Sequence, residues 1–230
     1  MVQKSLRTHL IAIIVITALS VFSGLAFAKT YSNAHNGSIM PFGAPDTTSY
    51  GQVFNGNGGI LTDWSFYASS GNAGNLQLMI ADWNGSYAVG PALYTSSIFS
   101  YSGGSQVFHF NGININLATD DYIAFITVAG LNDAASSVFM AGSRGNGGLG
   151  GGFTFANTNG INPLSLGSDA DWESLGNWGP GNMQFTAVIA VPEPETYAMI
   201  LAGLGVLGWT FHRRKKNNKS SDYLARVNPL

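Results

Sequence analysis

The sequence predicts an all-β domain, a β-sandwich or jelly roll of about nine strands, between an N-terminal signal helix and a C-terminal transmembrane helix. Three observations carry that expectation. Apolar and polar residues alternate in short runs, and no stretch between the ends keeps a helical period long enough for a helix. Turn formers separate those runs, with 30 glycines in 230 residues. Each end of the chain carries an apolar segment with basic residues beside it.

Composition narrows the function classes. At 45% hydrophobic residues and a mean hydropathy of +0.13, the chain can bury a core and is not a disordered tract. The absence of cysteine excludes disulfides, thiolate zinc sites and cysteine nucleophiles. The net charge of -2 hides an asymmetry: residues 29–190 hold nine acids against Lys29 and Arg144. A segment so acidic repels phosphate backbones, so no nucleic-acid partner is expected.

Residues 1–28 read as a signal peptide. Lys4 and Arg7 precede an apolar run over residues 10–21, and Ala26, Phe27 and Ala28 form a small-x-small site with cleavage expected after Ala28. Residues 29–190 form the extracytoplasmic domain. Its first strand is expected at 51–54. Over 60–67, Ile60, Thr62, Trp64 and Phe66 share one face and Leu61, Asp63, Ser65 and Tyr67 the other. Leu76, Leu78 and Ile80 alternate with Gln77 and Met79, and Asn84-Gly85 then signals a hairpin. Further strands are expected at 93–101, 106–111, 122–128, 137–141, 153–156 and 183–191. Seven glycines within 142–152 lack the pattern of a phosphate loop, so an exposed flexible loop is expected there. Residues 157–180 are rich in turn formers and read as a long connection.

The C-terminal segment 191–216 has three parts, followed by a polar tail at 217–230. Pro192, Glu193 and Pro194 hold the chain extended. An apolar helix is expected at 197–211, short of the roughly 20 residues that span a hydrocarbon core. Arg213, Arg214, Lys215 and Lys216 lengthen it by snorkelling and keep that end cytoplasmic. Pro192-Glu193-Pro194, the Gly-rich apolar run 198–209 and the basic cluster together resemble the PEP-CTERM sorting signal. That resemblance implies recognition by an exosortase, a membrane-embedded cysteine protease-like enzyme. It further implies an inner-membrane intermediate that passes to the surface or extracellular matrix of a Gram-negative, exopolysaccharide-producing cell. The tail departs from the family, which usually ends within a few residues of the basic cluster.

The stretch 51–128 also resembles an uncharacterised jelly-roll-like domain common in such exported proteins. The residues that carry this are Gly51-Gln52-Val53-Phe54, Phe66-Tyr67, Ala81-Asp82-Trp83-Asn84-Gly85, Val89 to Ser96 and Tyr122-Ile123-Ala124-Phe125. Its general look is that of a carbohydrate-binding module. It implies no activity.

Candidate chemistry is sparse. His109 alternates with Phe108 and Phe110 and points to solvent, and no Gly-x-Ser-x-Gly elbow accompanies it for a serine triad. Paired acids are too numerous to single out a glycosidase pair, so no catalytic residue is assigned and no enzyme is expected. Asp169, Asp171 and Glu173 stand at alternate positions, an arrangement suited to calcium or to a solvated acidic turn. Trp64 belongs to the core. Trp83, Trp172 and Trp178 either lid a small core or form an aromatic platform for a sugar. Matrix association with exopolysaccharide binding is the favoured reading; a glycan-active hydrolase and a ligand-free matrix protein are the alternatives.

Overall fold

A computed structural model describes residues 26–158, 160–165, 172–174, 179–192, 200–201 and 203–208. The chain forms two units, Ala28–Val191 and a unit of Met1–Phe27 with Pro192–Leu230. The first is an antiparallel β-sandwich. One sheet is built on β3 (Ile60–Gly71), flanked by β14 (Phe185–Pro192) and β7 (Gln106–Asn116), with β1 (Ala26–Ser32) beyond β14 and β9 (Val138–Met140) also on β3. The other runs β12 (Trp172–Glu173), β11 (Phe153–Ala156), β2 (Ser49–Asn55), β8 (Asp121–Thr127), β4 (Gly74–Trp83), β5 (Ala88–Thr95), with β6 (Phe99–Tyr101) also on β4. A small ladder joins β10 (Gly142–Ser143) to β13 (Asn182–Met183). Successive strands repeatedly change sheet, which makes the connectivity jelly-roll-like.

The core lies between the sheets because alternation sends one side chain in two inward from each strand. Leu76, Leu78 and Ile80 of β4 are fully buried, as the alternation predicts. Trp64 stacks on Phe185 at 5.0 Å and meets Phe54 at 4.7 Å. Gln52, fully buried, ties the small ladder to β2: its amide donates to Asn182 Oδ1 at 3.0 Å and its oxygen accepts the Met183 N–H at 2.8 Å. Satisfied in this way, a buried amide stabilises the fold.

Four sequence expectations change. Ile60 is not an inward residue but 37% exposed, whereas Leu61 is buried. The register of β3 against β14 shifts by one between Leu61 and Asp63, and this bulge reverses the alternation on its N-terminal side. The strand expected at 93–101 is two, β5 and β6, with Ser96 turned inward to accept the Leu78 N–H at 3.0 Å.

The glycine-rich stretch 142–152 is built into the fold. Leu149 is buried, Asn55 N–H donates to its carbonyl at 2.7 Å, and Val53 N–H donates to that of Gly152 at 2.8 Å. A Cβ on Gly151 would stand 2.0 Å from the Val53 oxygen, with φ at +68°, so glycine serves close approach here rather than flexibility. Finally, the connection 157–180 contains a 3-10 turn, Pro163–Ser165, and the strand β12.

The signal peptide expected at 1–28 lies outside the described residues as far as residue 25. The expected cleavage after Ala28 falls within β1, and Tyr31 and Asn33 beyond it are held by the sandwich. Tyr31 is buried, and Asn33 Nδ2 donates to the carbonyls of Met183 and Gly145, both at 2.8 Å.

Tyr50 sits in this core, stacked on Phe42 at 4.7 Å with its hydroxyl donating to the Met40 carbonyl at 2.6 Å. Burial pushes its pKa up to about 12. The folded state therefore keeps a proton that the unfolded chain loses near pH 10, so this contribution is complete below pH 10 and lost as pH rises to 12. Denaturant titrations across that window should show stability falling by on the order of 2 kcal/mol. Tyr50→Phe should flatten part of that slope; an unchanged slope would assign it to other tyrosines, Tyr101 first, whose pKa burial also raises.

Candidate functional site

The β8 strand is buried on both faces. Tyr122, Ala124 and Ile126 enter the main core, while Ile123 and Phe125 face the opposite way and form a second cluster with Val53, Ala81, Ala88, Ala156 and Trp172. Trp172 reaches this outer face because β12 pairs with β11, placing Trp172 opposite Ala156 and Glu173 opposite Phe155. It packs edge-on against Phe125 at 5.4 Å and Trp83 at 5.8 Å, and is only 5% exposed.

Trp83 ends β4, on the Met79 side, where alternation predicts it. The turn beyond it is fixed by Asn84, whose Oδ1 accepts the N–H groups of Ser86 at 3.0 Å and Tyr87 at 2.9 Å. Trp83 stays half-buried and walls a cleft of about 440 Å³ shared with Ser86, Thr154, Trp172 and Glu173. Thr154 Oγ1 donates to the Glu173 carbonyl at 2.8 Å, which holds β12 against the sheet, and the Glu173 side chain is exposed. The Trp172 indole N–H is buried without a partner among the described residues. Ring faces beside a carboxylate and hydroxyls suit a ligand with apolar and hydrogen-bonding sides.

The structure brings two of the three candidate tryptophans together; Trp178 lies outside the described residues, as do Asp169 and Asp171. Among the described residues no three acidic or histidine side chains are grouped as a metal site would need. Ser86 and Thr154 carry no motif of their own in the sequence; only a position beside the Asn84-Gly85 turn and on a strand next to β2 gives any signal for them.

His109 is exposed, with Phe108 buried behind it. Its Nδ1 lies 2.8 Å from Ser65 Oγ and its Nε2 3.8 Å from Asp63 Oδ1. Ser65 stands opposite His109 in the β3–β7 register, so the contact is a cross-strand pair on a flat sheet face, without a nucleophile elbow.

At the C-terminal end, Pro192 closes β14. Residues 190–215 match the PEP-CTERM protein-sorting motif. The PEP-CTERM segment marks an exported protein that is anchored transiently in the membrane and processed by an exosortase. Glu193, Pro194, Arg213, Arg214, Lys215 and Lys216 lie outside the described residues. Ile200, Leu201 and residues 203–208 are helical within the expected 197–211 segment. Among the described residues no helix is long and apolar enough to cross a membrane.

No match to a curated protein was found. Several solved structures align with part of the chain. The cysteine protease and lectin-like domains of Cwp84, a surface layer associated protein of Clostridium difficile, align at 10% identity with a TM-score of 0.43, over 72% of this chain and 36% of that one. The present chain thus spans about a third of the length of that chain. The CBM36-1 domain of a multidomain xylanase from the hindgut metagenome of Trinervitermes trinervoides aligns at 14% identity and a TM-score of 0.28, over 52% of this chain and 99% of that one. TmCBM61 in complex with beta-1,4-galactotriose aligns at 14% identity and a TM-score of 0.31, covering 50% and 77%. The sandwich assignment rests on strand pairing rather than on these likenesses.

Proposed function

We propose that the protein is a PEP-CTERM-sorted surface or matrix component that binds exopolysaccharide in the Trp83–Trp172 cleft and performs no chemistry on it. The segment 197–211 holds it at the inner membrane, with Arg213 to Lys216 on the cytoplasmic side, until exosortase acts. The observation that carries the binding reading is the half-buried Trp83 ring, braced edge-on by Trp172 and bordered by Glu173 and Ser86. A ring fixed in this way needs little ordering on binding, which favours affinity.

A glycan array probed with the full-length chain in detergent tests this. Trp83→Ala should weaken the strongest signal by at least about fivefold, the lower end for loss of one stacked ring, with the melting transition retained. Binding indifferent to Trp83→Ala in a folded variant would overturn the assignment of the cleft. New reducing ends after incubation with the bound glycan would overturn the non-catalytic reading.

A further inference from the structure

The sandwich has an open seam. The strand β7 ends one sheet and β5 ends the other, and the two are not paired to each other. Between them, among the described residues, runs a groove of about 430 Å³, within the range of about 300–1,000 Å³ that small-ligand sites occupy. It shares no lining residue with the Trp83–Trp172 cleft and differs from it in composition: no acidic, lysine or arginine side chain lines it.

Its walls are ordered before any ligand arrives. Phe99 is wedged against Phe108 at 5.2 Å and Phe110 at 5.4 Å, so its half-exposed ring is a fixed platform. Ser96 is held by the Leu78 N–H and by its own bond to the Ser97 carbonyl, and Ser100 Oγ donates to Asn75 Oδ1. Tyr94, Ser97, Gln106 and Asn111 also line the groove.

We propose that this seam is a second glycan site, for a neutral oligosaccharide, and that it makes the protein a bivalent cross-linker of polysaccharide chains. Three features select that ligand. Flat rings alternating with hydroxyls and amides match the apolar faces and hydroxyl rims of a sugar. The groove has no acidic, lysine or arginine side chain, and the histidine in its lining, His109, is engaged by Ser65 Oγ at 2.8 Å and lies 3.8 Å from Asp63, so the groove offers little to an ionic ligand. The acidic domain around it repels a polyanion. An extended uncharged peptide along the free β7 edge is the competing occupant, and the test separates the two. The seam site stands independently of the Trp83–Trp172 reading; bivalency rests on both.

The experiment is calorimetric titration of the full-length chain in detergent with neutral β-1,4-linked tetrasaccharides of glucose, galactose and xylose, and with an uncharged Ser/Thr/Val hexapeptide. Two saccharides per chain are expected. Ser97→Trp, at an exposed rim position, should fill the groove without disturbing the core and halve the stoichiometry; Phe99→Ala should do the same by removing the platform. Trp83→Ala should also leave one site, and Trp83→Ala with Ser97→Trp none. Each single variant should stop precipitating the corresponding neutral polysaccharides. A folded Ser97→Trp variant with wild-type stoichiometry overturns the seam site while leaving the Trp83 cleft standing. Loss of all binding in Ser97→Trp, with Trp83→Ala unaffected, upholds the seam and sinks the cleft. Hexapeptide binding, or no saccharide binding at all, overturns the seam as a glycan site.

Discussion

Trp172→Ala is expected to destabilise the sandwich by about 3–5 kcal/mol, the usual cost of deleting a buried tryptophan together with the cavity it leaves. The indole fills the space outside Phe125 and Ile123, and its neighbours Val53, Ala81, Ala88 and Ala156 are small or already packed. They cannot close over the gap without moving β8, whose other face is in the main core. Trp172→Phe should cost far less, because it keeps a ring on Phe125 and removes the unpartnered buried N–H. Urea midpoints for the two variants check this. A Trp172→Ala value within about 1 kcal/mol of the parent, inside the range of ordinary surface changes, would mean that the outer cluster contributes little. The prediction also bears on function: lost glycan binding in Trp172→Ala would report lost structure, so Trp83 is the position that tests the cleft.

That distinction was not legible in the sequence. Trp172 sits among turn formers, and what buries it are residues far away along the chain, Phe125 and Ala156, brought together only by the β11–β12 pairing. Trp83 was legible, because the alternation of Leu76, Leu78 and Ile80 runs unbroken into it. Where alternation breaks, the reading fails in a definite way. The bulge beside Thr62 leaves Ile60 outside and Leu61 inside, and it is visible only in the registers against β14 and β7. The glycines of 142–152 look the same in a sequence whether they serve mobility or close approach. Only the Val53 carbonyl against Gly151 decides between the two. The seam groove was hidden for a similar reason, since reading 93–101 as one strand leaves no room for the break at 96–98, whose Ser96 and Ser97 line it.

Changing Pro192 and Pro194 together to alanine is expected to abolish exosortase processing, so that full-length protein accumulates in the membrane fraction. The physical basis is conformational. Proline fixes φ near -65° and biases the preceding residue toward extended backbone, so the sequence Pro192-Glu193-Pro194 disfavours helix. Pro192 also ends β14, since a residue without an N–H cannot donate to a continuing ladder. Alanine removes both restraints and, as the best helix former, favours helix in their place. Immunoblots of membrane and released fractions should then show one full-length band in the variant and a shorter released product in the parent. Glu193→Gln separates shape from charge. It keeps both prolines, so processing retained in Glu193→Gln but lost in the double alanine variant assigns recognition to backbone geometry. Release of the double alanine variant at the parental level would show that the prolines act only as a hinge between the sandwich and its anchor.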